Sequence, residues 1–442
     1  MLEFGFYEKE ITPPLGSGIP GYFNVRRGTN VLDRLYARAM VVGDGDEKIA
    51  IVSIDGLAPL KSVVDSICAR VEAYTGIARK NVLVAYTHSH TAIPYRQSGL
   101  VYEDDETVSD SVKGFLDVHS RIIADCVTLA DMRLKKGVAK FGMGEVGGIS
   151  FCRNYIMKNS TPQTNPPRQS PDIVGPVAET DNELPVLFIT DEKGSPLGAL
   201  TGFACHADCI GGEELSGDYI SALSGELKRI YGEDFVTVFL LGCCGDINHF
   251  DVSKSSDSPD HYVMMGKKIA EEVVKTAEIS AELKNEKLYS SFEYISIPRI
   301  AVEEERVSYA KHMIETVRPL EGVRLAADNT DPEQYNLAMS KRLMDFLESA
   351  PDNYVVPLQC LQIGEFTVYG FNSEIFSEFG KIVKKGDGTG INLVATECNE
   401  AFGYVPTRDM FCDTIYESRP GSCCLDKEAG YIMAEKLISM KK

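Results

Sequence analysis

The chain has 442 residues, 44% hydrophobic and 25% charged, the balance of a globular protein able to bury one very large core or two ordinary ones. A net charge of −20 and a pI near 4.9 exclude nucleic acid and anionic membrane surfaces as partners, since both need a basic face. No run reaches the roughly eighteen apolar residues of a transmembrane segment, and Met1–Glu10 has neither a basic n-region nor an apolar h-region, the pattern of a cytoplasmic chain.

In chain order, apolar runs predict strands at Leu35–Val42 and Lys48–Asp55, a helix at Leu60–Thr75, a buried strand at Asn81–Tyr86 and a helix at Val112–Lys135. Residues 155–182, with five prolines among polar residues, predict a long ordered loop without regular structure. Strands resume at Leu184–Thr190 and Leu197–Ala204, followed by a helix at Ile220–Tyr231 and a strand at Phe235–Leu241. Acidic, helix-rich sequence covers 260–286 and 303–349. Strands at Val356–Ile363 and Phe366–Phe371 then lead to a helix opening near Ile375. Neither an internal repeat nor a Gly/Ser linker interrupts the chain. The expected fold is α/β, mixed β-sheets flanked by helices, in a single metallohydrolase-type domain over 1–442 with a helical excursion at about 300–350.

The chemistry concentrates at predicted strand ends. Thr87-His-Ser-His90 follows a buried strand, and residues two apart on an extended backbone share one face, so His88 and His90 can reach one ion. His206 ends a second apolar strand. Three imidazoles at two strand ends suit Zn²⁺, which takes N and O ligands and keeps a position open when catalytic; the alternative is satisfied buried histidines. Gly242-Cys-Cys-Gly-Asp-Ile-Asn-His249 reads as a tight turn presenting Asp246, Asn248 and His249 to a cleft, or as an ordinary βα turn. Glu374 precedes a helix and would also suit its N-terminal dipole. Tyr404 and Tyr416 are as compatible with a core as with a site, and Arg153 would hold a carboxylate, polarise a carbonyl or form a surface salt bridge. The twelve cysteines lack both a disulfide spacing and the Cys-x₂-Cys pairs of a structural zinc site, which argues against sulfur ligation.

Taken together and in order, Glu10-Ile-Thr-Pro-Pro-Leu-Gly16, Asp33–Ala39, Thr87-His-Ser-His90, Arg153-Asn154, Phe203-Ala-Cys-His206, Gly242-Cys-Cys-Gly-Asp246, the Glu374 turn, Gly403-Tyr404-Val-Pro-Thr407 and Tyr416-Glu417 resemble the neutral/alkaline non-lysosomal ceramidase family. The resemblance implies a catalytic zinc held by His88, His206, Glu374 and Tyr404, with His90 as second active-site histidine, Arg153 as substrate-orienting arginine and Tyr416 as second active-site tyrosine. Three departures stand out. Asn248 replaces the serine of the family's Gly-Asp-x-Ser-Pro-Asn turn, Thr91-Ala-Ile-Pro94 replaces a glycine-rich continuation, and the family's C-terminal immunoglobulin-like domain has no counterpart after Tyr416.

The resulting expectation is a zinc hydrolase acting by a metal-activated water on the amide bond of a small N-acyl or lipid-like substrate. His90, Arg153, Tyr416 and Asp246 would be catalytic, Asp246 by orienting a histidine, and Asn248 with Arg153 would bind substrate. The contrasting expectation is a metal- or ligand-binding member of the same fold with reduced turnover. The sequence leaves a homo-oligomer open.

Overall fold

The structure, a computed structural model, describes residues 1–22, 26–93, 106–319, 331–386 and 388–442, so Pro94 and residues 320–330 of the helical excursion lie outside the described residues. The strands that frame the site are β1 (Glu3–Glu10), β2 (Tyr36–Gly43), β3 (Lys48–Ile54), β4 (Val82–Tyr86), β5 (Lys135–Glu145), β6 (Asn154–Met157), β7 (Pro162–Thr164), β8 (Ile173–Pro176), β9 (Glu183–Asp191), β10 (Pro196–Phe203), β11 (Val236–Leu241), β12 (Leu288–Pro298), β13 (Asn353–Ile363), β14 (Phe366–Gly370), β15 (Glu374–Ile375), β16 (Ile391–Ala395) and β17 (Tyr404–Val405). The helices are α1 (Lys61–Thr75), α2 (Glu106–Asp131), α3 (Asp218–Tyr231), α4 (His261–Ile279), α5 (Glu304–Thr316), α6 (Pro332–Ser349), α7 (Ser377–Lys385) and α8 (Ala429–Ser439). This is the expected mixed α/β class.

A nine-stranded sheet runs β11-β10-β9-β5-β1-β2-β3-β4, with Ala281–Glu282 added on β5. Pairing between β1 and β5 is confined to Glu3↔Lys136 and Phe4↔Lys135, so the sheet folds there. Its far edge returns against the other half, where Ser53 on β3 donates to the Phe239 carbonyl on β11. A second sheet, β12-β13-β14-β16, closes the third side.

Strand alternation explains why three β layers can share one core. Ala37, Ala39 and Val41 of β2 face α1 and α2, while Met40 and Val42 point inward to meet Leu200 and Val238 of the returning half and Leu361 and Val368 of the second sheet. Each outer face carries its own helix pair. Ile220 and Leu223 of α3 and Ile269 of α4 pack on Phe203 and Phe239, and Phe379 of α7 and Met433 of α8 lie in one cluster with Leu358 and Tyr369. The excursion α5–α6 packs Ala310, Leu343 and Phe346 against Cys423.

Several expectations need correction. Residues 155–182 are not structureless, because β6, β7 and β8 form a small antiparallel sheet with Tyr155↔Gln163 and Tyr155↔Pro176 in register. Prolines are tolerated there at the edges of a three-stranded ribbon. The helix expected at 112–135 spans Glu106–Asp131, and Lys135 already opens β5. Strands β1, β5, β12 and β16 and helix α8 have no counterpart among the predicted elements; β5 in particular, with charged and glycine residues throughout, is made a strand by its long pairing with β9.

Candidate active site

Four chain segments bring the predicted residues together where β4, β10, β11 and β14 end. Strand β4 stops at Tyr86 rather than carrying the histidines, and His88 takes a left-handed backbone, φ 59°, which costs a non-glycine residue on the order of 1–3 kcal/mol. That twist turns Nδ1 onto the Leu57 carbonyl at 2.8 Å and leaves Nε2 facing inward. So the two histidines do not share a face by strand alternation, yet their ring centroids stand 5.0 Å apart. The loop is anchored by the His90 N–H donating to the Ala207 carbonyl at 3.0 Å, which ties it to the segment carrying His206.

His206 is held in the same way. Its Nδ1 donates to the carbonyls of Cys244 at 2.8 Å and Ile247 at 3.0 Å, both in the turn after β11. That leaves its Nε2 3.4 Å from Glu374 Oε2, the same oxygen that lies 3.4 Å from His88 Nε2. Glu374 is delivered by the short parallel pair β15–β17, in which it sits directly opposite Tyr404. A glycine makes this approach feasible: a Cβ on Gly245 would fall 2.5 Å from the Glu374 carbonyl oxygen. His88, His90 and His206 together offer ring nitrogens within 4.8 Å of one another.

The electrostatics follow from this crowding. Burial opposes a charged His88, but the Glu374 carboxylate outweighs it and holds the imidazole up to about 9. Burial would also raise Glu374, yet His88 and His206 keep it well below the usual carboxylate range. Burial and the nearby Arg153 push His206 down. Burial, helped by the neighbouring His88 and His206 and opposed by Asp208, takes His90 to about 3, so its ring is neutral. With both Nδ1 atoms committed to carbonyls, the two inward Nε2 atoms face one carboxylate oxygen. His88 Nε2 and Glu374 Oε2 are buried without a hydrogen-bond partner. Such a set repels itself unless a proton or a cation lies within it, and two imidazoles with an oxygen donor fit Zn²⁺.

Arg153 is not on the surface. It is 5% exposed, ion-paired through Nε with Glu417 Oε1 at 3.0 Å, and donates from Nη2 to the Gly245 carbonyl at 2.6 Å. Its guanidinium carbon lies 5.1 Å from the Tyr404 ring and 5.4 Å from the Tyr416 ring, and the two phenol oxygens are 3.2 Å apart. Burial pushes both phenols up, so both are protonated donors.

Asp246 does not orient a histidine. Its oxygens accept from the Ser377 N–H at 2.6 Å and the Ser377 hydroxyl at 3.0 Å, satisfying the free first turn of α7, while carbonyls hold His206. Asn248 links outward, donating to Asn165 Oδ1 at 2.8 Å. A cavity of about 1270 Å³ opens over His88, His90, Arg153, Glu374, Tyr404 and Tyr416, and Asn248 lines it as well.

Sequence reasoning passed over Asp208, Tyr22 and Glu397, and gave Glu417, quoted beside Tyr416, no role of its own. The Tyr22 hydroxyl donates to Asp208, whose carboxylate stands 3.6 Å from His90 Nδ1. Fully buried Glu417 holds Arg153. Asp208, two residues past His206, was within reach of a strand-end search; Tyr22 and Glu397 carry no local signal.

Comparison with known proteins agrees with this geometry. The family model for neutral/alkaline non-lysosomal ceramidase, N-terminal, matches residues 3–223, half of the chain. The chain belongs to this family. It is 23% identical over 476 residues to the neutral ceramidase of Pseudomonas aeruginosa, covering 94% of this chain and 68% of that protein. The crystal structure of the P. aeruginosa neutral ceramidase superposes with a TM-score of 0.73 at 19% identity, over 99% of this chain and 74% of the other, and a ceramidase complexed with C2 gives the same values. The protein is therefore a hydrolase with the ceramidase fold. Among the described residues no helix is long and apolar enough to cross a membrane.

Proposed function

We propose that this ceramidase-family hydrolase is zinc-dependent and cleaves the amide bond of an N-acyl compound, with His88, His206, Glu374 and Tyr404 holding the metal. The observation that carries the reading is the convergence of two carbonyl-locked imidazoles on one carboxylate oxygen, each at 3.4 Å. Zinc bound there would supply Lewis-acid charge and lower the pKa of a water to about 7. Tyr416, its phenol kept protonated by burial, is the donor for the developing oxyanion, a contact worth ~3 kcal/mol in the barrier. Arg153, beside both phenols, adds fixed positive charge and orients the acyl oxygen. His90 is neutral and takes up the proton bound for the leaving amine, the Asp208 carboxylate at 3.6 Å stabilising the imidazolium. Asn248 and the segment it anchors at Asn165 form one wall for the acyl group.

Arg342, Asp345 and Arg419 also line the cavity, and these charges favour a small polar N-acyl compound over a long-chain lipid. The test is metal analysis of the purified protein joined to a screen of acyl amides and esters. His88→Ala and His206→Ala should each lose one equivalent of zinc and the hydrolysis with it. A protein that holds zinc at these residues and hydrolyses nothing in the screen is the binding member of the fold, not the enzyme.

A further inference from the structure

Beside Asp208, with His249 itself lining the cavity, lies a second group of metal-ligating side chains, drawn from three separate segments. Cys209 follows His206 in the loop after β10, His249 ends the turn after β11, and His261 opens α4; each offers one ligand atom within 4.8 Å of the others. Met265, one turn beyond His261 on the same helix face, places its Sδ 3.4 Å from Cys209 Sγ.

The imidazoles are arranged as ligands usually are. His249 Nε2 donates to the Asp208 carbonyl at 3.0 Å, which leaves Nδ1 as the lone-pair nitrogen, and Nδ1 is buried without a hydrogen-bond partner. His261 Nε2 is likewise buried and unpartnered, while its ring bonds to the His249 carbonyl. Metal-bound histidines typically donate the other ring N–H to a carbonyl in this way. The ring centroids lie 5.1 Å apart, with the planes tilted by 48°. The nearest carboxylate to His249 Nδ1, Asp257 at 4.0 Å, is taken up by Arg168.

We infer that Cys209, His249 and His261, with Met265 as a weak fourth donor, form a second, structural metal site for a thiolate-seeking cation of the zinc or copper(I) class. A thiolate, two imidazoles and a thioether exclude Mg²⁺ and Ca²⁺, which require oxygen ligands. Binding replaces the Cys209 thiol proton by the metal and releases that proton to solvent. The cation would clamp the loop after β10 to the turn after β11 and to α4. Through the Asp208 carbonyl it would also fix the wall whose carboxylate meets His90 and Tyr22. No Cys-x₂-Cys spacing announces such a site, because its ligands come from elements far apart in the chain.

Co²⁺ is the probe, since a sulfur-to-cobalt charge-transfer band reports thiolate ligation and the proposed catalytic ligands contain no sulfur. Stoichiometric Co²⁺ added to the metal-free full chain should produce that band in the wild type and in His88→Ala, and not in Cys209→Ser. Zn²⁺ and Cu⁺ should each bleach it, and metal should slow alkylation of Cys209 by roughly tenfold or more. The alkylation measurement uses the wild type and covers the case in which Cys209→Ser fails to fold. His261→Ala should weaken Co²⁺ binding while leaving the His88 site its metal. A wild type without the band, or with one that survives Cys209→Ser, together with alkylation indifferent to metal, overturns the site. Because the band is read in His88→Ala, the two metal proposals fail separately.

Discussion

At the scale of single residues, ligand and catalyst separate by what each side chain touches. Tyr404 sits opposite Glu374 in the β15–β17 register, whereas Tyr416 reaches the site from an irregular segment and meets it at the Tyr404 hydroxyl and the Arg153 guanidinium. Tyr416→Phe should therefore keep its metal and lose roughly 10²–10³ in kcat and kcat/KM together. Tyr404→Phe should bind zinc more weakly, which metal titration will show; both variants with native zinc content and turnover would make the tyrosines plain core residues. Glu417 is a different case, since it touches no reacting atom but neutralises buried Arg153. Glu417→Ala leaves that guanidinium unpaired, and a loss of about 3–5 kcal/mol is expected in denaturant unfolding. A loss below 1 kcal/mol would show that Arg153 does not depend on this carboxylate.

At the scale of elements, the site depends on how chain segments approach one another. Gly245→Ala would push a methyl group against the Glu374 carbonyl, displacing β15 and with it the ligand oxygen. The expected result is lower zinc affinity with the far-ultraviolet circular dichroism unchanged, and native affinity would show that β15 gives way without moving Glu374. Helix α2 provides a test of stability independent of the site. His119, 3% exposed on that helix, is pulled by burial to about 4, so the native state holds it neutral while the unfolded chain titrates near 6.5. Between these values the unfolded chain binds the extra proton. Stability should then fall as pH drops from about 6.5 to about 4, by ~3 kcal/mol in all, and level off below. His119→Gln should flatten that slope in urea titrations; an unchanged slope would assign the acid sensitivity to other groups.

For the whole molecule, the folded nine-stranded sheet is what makes a site possible, because β4 and β10 lie near opposite ends of the strand order. Only the return of β11 against β2 and β3 brings His88 to His206. The same arrangement sets the substrate range. The large cavity is lined in part by charged residues of the excursion and the C-terminal segment, Arg342, Asp345 and Arg419, and by Asn248 tied to Asn165. Short, soluble N-acyl amides should be hydrolysed with higher kcat/KM than a C16 ceramide in detergent. Equal or better turnover of the ceramide would show that these charges lie outside the acyl path.

Much of this protein was determined locally. The apolar runs at Leu35–Val42 and Lys48–Asp55 specified strands, and the runs ending near His88, His206 and Glu374 marked places where polar groups face a cleft. The ordered set of short motifs specified the family. Tertiary structure alone decided the rest, since backbone that lacks a periodic pattern takes its form from its partners: β5 is a strand because β9 pairs with it, and the proline-rich segment is a sheet because β6 has two edges. It also decided which groups meet. The left-handed turn at His88, the committal of Asp246 to Ser377, the burial of Arg153 on Glu417 and the gathering of Cys209 with His249 and His261 all arise from contacts between distant segments, which no spacing along one segment encodes.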